Sequence, residues 1–501
     1  MKKAFLTIVA LLAVTSVHAQ RNGCIRPTNM TRADNTNVIP EPFDFDPQRT
    51  YRQPVVLIAF SDVDFSMDSP AVYYNRLFNE TGFNEGAGPG CVADYFREQS
   101  AGRLNLQFDI YGPVKVDEKA KSTSVINYGN KAISQAIQIL RTSSDADFSV
   151  YDWNGDGSAE QVLFVCAGHS GNDTSGYIWP NSGSFYQKLP GDIDSFFSSV
   201  SCELWANGSL CGIGTIVHEF CHCLGLPDIY PLTPAKNYST VDEWDLMDGG
   251  NYTNRGWCPP SLTAMERMYL GWDMPEELTK PTSITGMKPL GEGGKTYIVR
   301  SSSTADEFYL LENRRQEGWD YGCPGNGLLI YHVDFDKDAW LYNRVNVSDT
   351  HYRYDLFHAD GKDYLFWDPA NDGKDLNRWT MPDHLRSRYL STSPYPYTDP
   401  VSLEVYASLT DETTPAATLF APAADGRPFM GKAITNIRVE ADGTVSFDFM
   451  KDADRVVTPT TPKDETETWY TLDGCRLQGR PSTKGMYICR TGFTTRFCIL
   501  H

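Results

Sequence analysis

The chain has 501 residues, with 44 Lys+Arg against 64 Asp+Glu, a formal charge of −20, and 12 cysteines. At roughly 150 residues per domain this length suits about three domains. An ordinary hydrophobic share of 41 % argues against wholesale disorder, 40 Gly and 30 Pro interrupt any long coiled coil, and the negative field disfavours nucleic acid as a partner.

The chain opens with Lys2 and Lys3, an apolar run from Ala4 to Val17, and the small-x-small signal Val17-His18-Ala19. This pattern predicts a secretory signal peptide over residues 1–19, too short for a comfortable membrane span. The expected location is therefore secreted or outer-surface associated. Its removal takes two lysines and brings the charge to −22. No later stretch reaches about 18 consecutive apolar residues, so no transmembrane helix is expected in the mature chain. All 12 cysteines survive that cut, and an exported chain permits disulfides. Cys202 and Cys211 flank a turn-like stretch and suggest a local bridge. Cys221 and Cys223 lie two apart on a helix and point in different directions.

Residues 20–50 are polar and proline-bearing, which reads as a leader or short pro-segment. From Val55 to Phe60 the residues are continuously apolar, as in a buried central strand. A helix over Ala93–Ser100, a turn and an alternating strand Leu104–Phe108 follow. Ser124–Leu140 carries helical spacing at Ile126, Ala132, Ile133, Ala136, Ile137 and Leu140. Val162–Cys166 reads as another buried strand.

Just before that strand, Asp152-Trp153-Asn154-Gly155-Asp156-Gly157 alternates oxygen side chains on a tight loop. With Glu160 it could wrap a calcium ion, or it could be a plain Asx-turn loop. An EF-hand is excluded because its twelfth position is Leu163.

The most informative segment is His218-Glu219-Phe220-Cys221-His222, an H-E-x-x-H pattern. On a helix the two histidines sit one turn apart on one face and can converge on one cation. Glu219 is rotated about 100° from His218 and reaches the space beside the metal. Gly225 tolerates φ > 0, ends the helix and reverses the chain. Asp228 follows as a candidate third ligand. Two histidines and a carboxylate leave the fourth position of a zinc ion open, as in catalytic sites.

His218-Glu219-x-x-His222-x-x-Gly225-x-x-Asp228, followed by Trp244-Asp245-Leu246-Met247-Asp248-Gly249-Gly250, resembles the secreted immune inhibitor A family of metallopeptidases. Further similar segments are Phe60-Ser61-Asp62, Asp94–Leu104, Ile178-Trp179-Pro180, Leu270-Gly271-Trp272, Leu311–Gln316 and Gly325–Asp334. The resemblance implies a metzincin-type zinc peptidase with Met247 in a structural turn beneath the ligands. His218, His222 and Asp228 would hold Zn²⁺. Glu219 would be the catalytic general base on a zinc-activated water, hydrolysing peptide bonds in protein substrates. Tyr230 and Tyr252 are candidate oxyanion donors, each more often simple packing. The rival reading is a surface binding or adhesion protein on a degenerate peptidase scaffold.

After residue 278 the texture turns to short strands: 296–299, 308–311, 328–333 and 445–449. Asp334, Asp336 and Asp338 read as a solvated edge, and His169 and His332 as satisfied structural histidines. Residues 453–468 read as a linker, and 469–501 as a small strand-rich tail similar to C-terminal sorting segments. The expected fold class is α+β: a zinc peptidase domain over 51–278 with a mixed sheet and an active-site helix, a β-sandwich over 279–452, then the tail.

Overall fold

The computed structural model describes residues 39–121, 128–143, 145–172, 174–230, 239–348, 351–363, 389–451, 468–471, 477, 480–491 and 494–500. The signal segment 1–19, most of the 20–50 leader and nearly all of the 453–468 linker lie outside the described residues. The chain divides into two compact units, one reaching Lys451 and one covering Asp452–His501.

The first unit begins with β1 (Thr50–Ala59), α1 (Pro70–Asn79), α2 (Val92–Gln99), β2 (Asn105–Lys115) and α3 (Tyr128–Ser143). β3 (Ser158–His169), β4 (Asn181–Ser184), β5 (Asp194–Leu204) and α4 (Gly214–Leu224) follow. The sheet order is β2-β1-β3-β5-β4, parallel except for β4, which runs antiparallel to β5 at the edge. Both faces of β1 are covered, which is why its sequence is continuously apolar. Val55 and Leu57 join a cluster with α1, α2 and α4, while Val56 and Ile58 join one with α3. The two-residue period of a strand thus sorts one apolar run into two cores.

Then come α5 (Ala264–Tyr269), β6 (Glu276–Glu277), β7 (Thr282–Met287), β8 (Tyr297–Arg300), β9 (Glu307–Arg314) and β10 (Gly327–Asp334). α6 (Lys337–Leu341), β11 (Tyr354–Leu356), the short pair β12 (Tyr397–Thr398) and β13 (Val405–Tyr406), β14 (Ile434–Val439) and β15 (Val445–Phe449) complete the unit. One sheet has the order β11-β10-β9-β8-β6 and another β14-β15-β7. β9 is buried along its full length. Its Tyr309 and Leu311 pack with Phe447 and Phe449 of β15, while Phe308 and Leu310 belong to the same cluster as α2 and α4. The apolar core therefore runs without a break past residue 278.

A buried polar knot crosses the same point. The Arg314 guanidinium, fully buried, donates to Glu312 Oε1 (2.7 Å) and Asp320 Oδ1 (2.6 Å). Glu312 Oε2 accepts the Ala264 amide (2.7 Å), and Asp320 Oδ1 accepts the Ser261 amide (2.8 Å). Burial opposes the guanidinium charge, but Asp320 and Glu312 hold it firmly protonated. The knot thus anchors α5 to β9.

In the second unit β16 (Thr468–Tyr470), β17 (Gly485–Thr491) and β18 (Thr494–Leu500) form an antiparallel sheet in that order. Among the described residues no helix is long and apolar enough to cross a membrane.

Among the described residues no disulfide joins Cys202 to Cys211, so the expected bridge is corrected. Glu203, not Cys202, lies opposite Cys211, whose amide donates to the Glu203 carbonyl (2.9 Å). A one-residue offset sends strand side chains to opposite faces. Cys202 instead packs in the α3-side core with its thiol toward Ile178 O.

Replacing Arg314 with Met should leave Glu312 and Asp320 buried without compensation. A loss of about 3–5 kcal/mol is expected, read as a lowered urea midpoint. An unchanged midpoint would show that the knot contributes little.

Candidate metal centre

α4 starts where Gly214 meets a neighbouring backbone: a Cβ there would lie 2.1 Å from the Asn251 carbonyl oxygen. Every residue of the helix is buried. Ile216, Val217, Phe220, Cys221 and Leu224 fill the core between sheet and helices. That packing leaves His218, Glu219 and His222 on the remaining face.

The helix ends in a paired cap. The Leu226 amide donates to Cys221 O (3.0 Å) and the Gly225 amide to His222 O (3.2 Å), with Gly225 at φ 111°. This reversal aims the Leu226 carbonyl at His222, whose Nδ1 donates to it (2.8 Å). The His218 Nδ1 donates likewise to Leu246 O (2.9 Å). A carbonyl oxygen carries no hydrogen, so in the neutral rings the proton sits on Nδ1 and Nε2 keeps the lone pair.

Those two nitrogens face one carboxylate oxygen. Asp228 Oδ1 lies 3.4 Å from His218 Nε2 and 3.3 Å from His222 Nε2. His218 Nε2 and Asp228 Oδ1 are buried, and neither has hydrogen-bond alignment to any partner. One ligand atom from each of His218, His222 and Asp228 lies within 4.8 Å of the others, and no other such group of three His, Cys, Asp or Glu occurs among the described residues. Two imidazole nitrogens and a carboxylate oxygen, desolvated and aimed at one point, suit a divalent cation such as zinc.

The electrostatics agree. Burial opposes charge on His218, yet Asp228, Glu219 and the Leu246 carbonyl together push its pKa up to about 9. Burial would raise the Asp228 carboxyl, but His222 and His218 hold it well below the usual carboxylate range. The pocket is built for a positive charge. Glu219, fully buried, follows His218 on the helix, and its carboxylate field is felt by that ring.

Two further chain segments hold the third residue in place. The Ile229 amide donates to Met247 O (2.9 Å), and the Met247 amide donates to Asp245 Oδ1 (2.7 Å). Met247 is buried in the cluster that contains α4. From the far side, the Asp228 amide donates to Asn343 Oδ1 (2.6 Å), and Asn343 Nδ2 donates to Asp228 Oδ2 (2.7 Å). Sequence reasoning missed Asn343, which lies 115 positions away with no motif around it.

The other candidates take ordinary places. Asp152 Oδ1 and Oδ2 accept the amides of Gly155, Asp156 and Gly157, Asn154 Oδ1 accepts the Asp156 amide, and Asp156 Oδ1 accepts the Ser158 amide. Glu160 accepts the amides of Trp153 and Asn154, and burial pushes its pKa up to about 7. These oxygens form an Asx-turn network. Cys221 and Cys223 are buried, and the Cys223 thiol points to the Glu160 carbonyl (3.8 Å). Tyr230 is buried two residues beyond Asp228, and the Tyr252 hydroxyl accepts from Asn172 Nδ2 (3.4 Å). His169 Nδ1 meets Trp205 O (2.9 Å) and His332 Nε2 meets Glu307 Oε1 (2.9 Å). Asp334 and Asp336 pair with Arg353, and Asp336 also caps α6.

Residues 182–275 match the family model described as "Immune inhibitor A peptidase M6, catalytic domain". The chain is also similar to a protein named pre-pro-metalloprotease PrtV, from two strains of Vibrio cholerae serotype O1. The identity is 20 % over 239 residues, covering 40 % of this chain and 26 % of that protein. The chain thus spans about a quarter of the relatives' length. Residues 182–275, which include the two histidines, the carboxylates and the Met247 turn, carry the catalytic-domain signature of the immune inhibitor A metallopeptidase family.

Proposed function

We propose that the chain is an exported zinc-dependent endopeptidase that hydrolyses peptide bonds in protein substrates. The observation that carries this reading is the convergence of His218, His222 and Asp228 in a buried cluster, with Glu219 buried next to His218 on the same helix. His218 Nε2, His222 Nε2 and a carboxylate oxygen of Asp228 would hold the zinc. When bound there, zinc supplies Lewis acidity that acidifies water and polarises a carbonyl. Glu219 takes a proton from the attacking water and passes it to the leaving amine. Its buried surroundings exclude competing solvent and keep that proton close. The Leu226 and Leu246 carbonyls hold the two imidazoles in the tautomer that binds metal. The Met247 turn serves in the metzincin manner as a platform under the ligands.

Export rests on the signal pattern of residues 1–19 and secretion remains part of this proposal. The loop at Asp152–Glu160 keeps both of its readings, an Asx-turn support for β3 and a calcium loop, since its oxygens accept the loop's own amides and each carboxylate oxygen has a further lone pair.

The Glu219→Ala variant should keep about one zinc per chain and lose casein hydrolysis by ~10²-fold or more. Full retained hydrolysis by the purified variant would overturn the assignment. The Asp228→Ala variant should instead lose zinc during dialysis against a mild chelator that leaves the wild type loaded. Equal zinc retention in both would remove Asp228 from the ligand set. A wild-type protein that binds zinc but cleaves no protein would favour the binding-scaffold alternative.

A further inference from the structure

A carboxylate is a two-fold rotor with two equivalent oxygens. For Asp228 to be a ligand, one oxygen must be turned toward the histidines and kept there. On the histidine side Oδ1 meets the two Nε2 atoms at 3.3 and 3.4 Å without hydrogen-bond alignment, which attracts the carboxylate but does not lock its rotation. The restraint comes from behind. Asn343 holds the residue at two points: its Oδ1 accepts the Asp228 amide (2.6 Å), and its Nδ2 donates to Asp228 Oδ2 (2.7 Å). One planar amide thereby fixes both backbone and side chain of Asp228, and Oδ1 is the oxygen left facing Nε2 of both histidines.

Asn343 is itself well anchored. It follows α6, which is capped by Asp336 and buries Trp340. It sits at φ 51°, a left-handed conformation that asparagine tolerates and most residues resist. Three residues on, Asn346 Nδ2 donates to the carbonyls of Ile229 (3.0 Å) and Tyr354 (2.8 Å), and the Tyr354 amide donates to Asn346 Oδ1 (3.1 Å). Leu341 O accepts the Ile39 amide (2.8 Å), and Lys337 pairs with Glu41 (2.9 Å). The 336–346 segment is thus tied to β11, to residues 39–41 ahead of β1 and to the loop carrying Asp228. It also lies outside residues 182–275, the stretch that matches the catalytic-domain family.

We propose that Asn343 is the positioning residue of the metal centre: it selects which Asp228 oxygen faces the ion, so that the β-rich portion after residue 278 completes the site. This inference rests on the zinc reading above. Partners that orient a ligand are commonly worth about 10–100-fold in metal affinity.

The left-handed backbone permits a clean test. Asn343→Gly removes the side chain without backbone strain. Asn343→Asp keeps an acceptor for the Asp228 amide but replaces the Nδ2 donor with an oxygen facing Asp228 Oδ2. Full-length wild type and both variants are stripped of metal. Zinc affinity is then measured by competition with a chromophoric chelator, and the absorption spectrum of the Co²⁺-loaded proteins is recorded. Both variants should bind zinc about 10–100-fold more weakly and show an altered cobalt spectrum. On peptide substrates kcat should fall with KM little changed. The metal-free Asn343→Gly protein should melt close to the wild type. If Asn343 only serves the αL turn, Asn343→Gly and Asn343→Asp will keep wild-type zinc affinity and cobalt spectrum, which overturns the inference. Wild type that binds zinc but hydrolyses nothing would end the endopeptidase reading while leaving the Asn343 effect on affinity measurable. Wild type without zinc affinity would overturn both.

Discussion

Two backbone carbonyls decide which nitrogen of each histidine is bare. Leu226 O and Leu246 O take the Nδ1 protons of His222 and His218, and that fixes Nε2 as the available donor atom on both rings. Neither carbonyl is placed by accident of packing. Leu226 O is delivered by the cap at Gly225, and Leu246 O by the tight turn that Asp245 closes onto Met247. An alternative tautomer on either ring would turn a lone pair away from the ion and a proton toward it. The spacing of H-E-x-x-H puts two imidazoles side by side, and the carbonyls turn both Nε2 atoms toward Asp228.

The third residue has a different origin. His218 and His222 belong to one helix, but Asp228 lies on a loop, and loops need external restraint. Met247 O holds the Ile229 amide on one side and Asn343 holds Asp228 on the other. The second restraint comes from the part of the chain that follows the peptidase-like segment. This is consistent with a core that runs from α4 into β9 and β10, and with the Arg314 knot that ties α5 to β9. A truncation at residue 278 would expose Phe308- and Leu329-facing surface and release Asp228 together.

Much of this was legible in the sequence because it is local. The apolar run at Val55–Phe60 becomes the central strand β1, and the spacing from Ala132 to Leu140 becomes α3. Gly225 as the helix stop follows from its tolerance of positive φ, observed at 111°. What escaped is non-local. Asn343 meets Asp228 across 115 positions, and nothing in Leu341-Tyr342-Asn343-Arg344 marks it. Arg314, Glu312 and Asp320 look like ordinary surface charges until the fold buries them together. The register at Glu203–Cys211 depends on a turn geometry that spacing alone does not fix, so the Cys202–Cys211 bridge was expected and is absent. The change of texture at residue 278 is real in sequence, while the apolar cluster around α4 draws residues from both sides of it, a non-local packing that the texture does not reveal.

The central claim is that the ion is held by two imidazoles and a carboxylate, with the nearby cysteines left out. Zinc-edge X-ray absorption on the stoichiometrically loaded protein reads this directly. The account predicts a first shell of nitrogen and oxygen near ~2.0–2.1 Å, with imidazole scattering from about two histidines and no sulfur. A sulfur shell near ~2.3 Å, which would bring Cys221 or Cys223 into the coordination sphere, would contradict it.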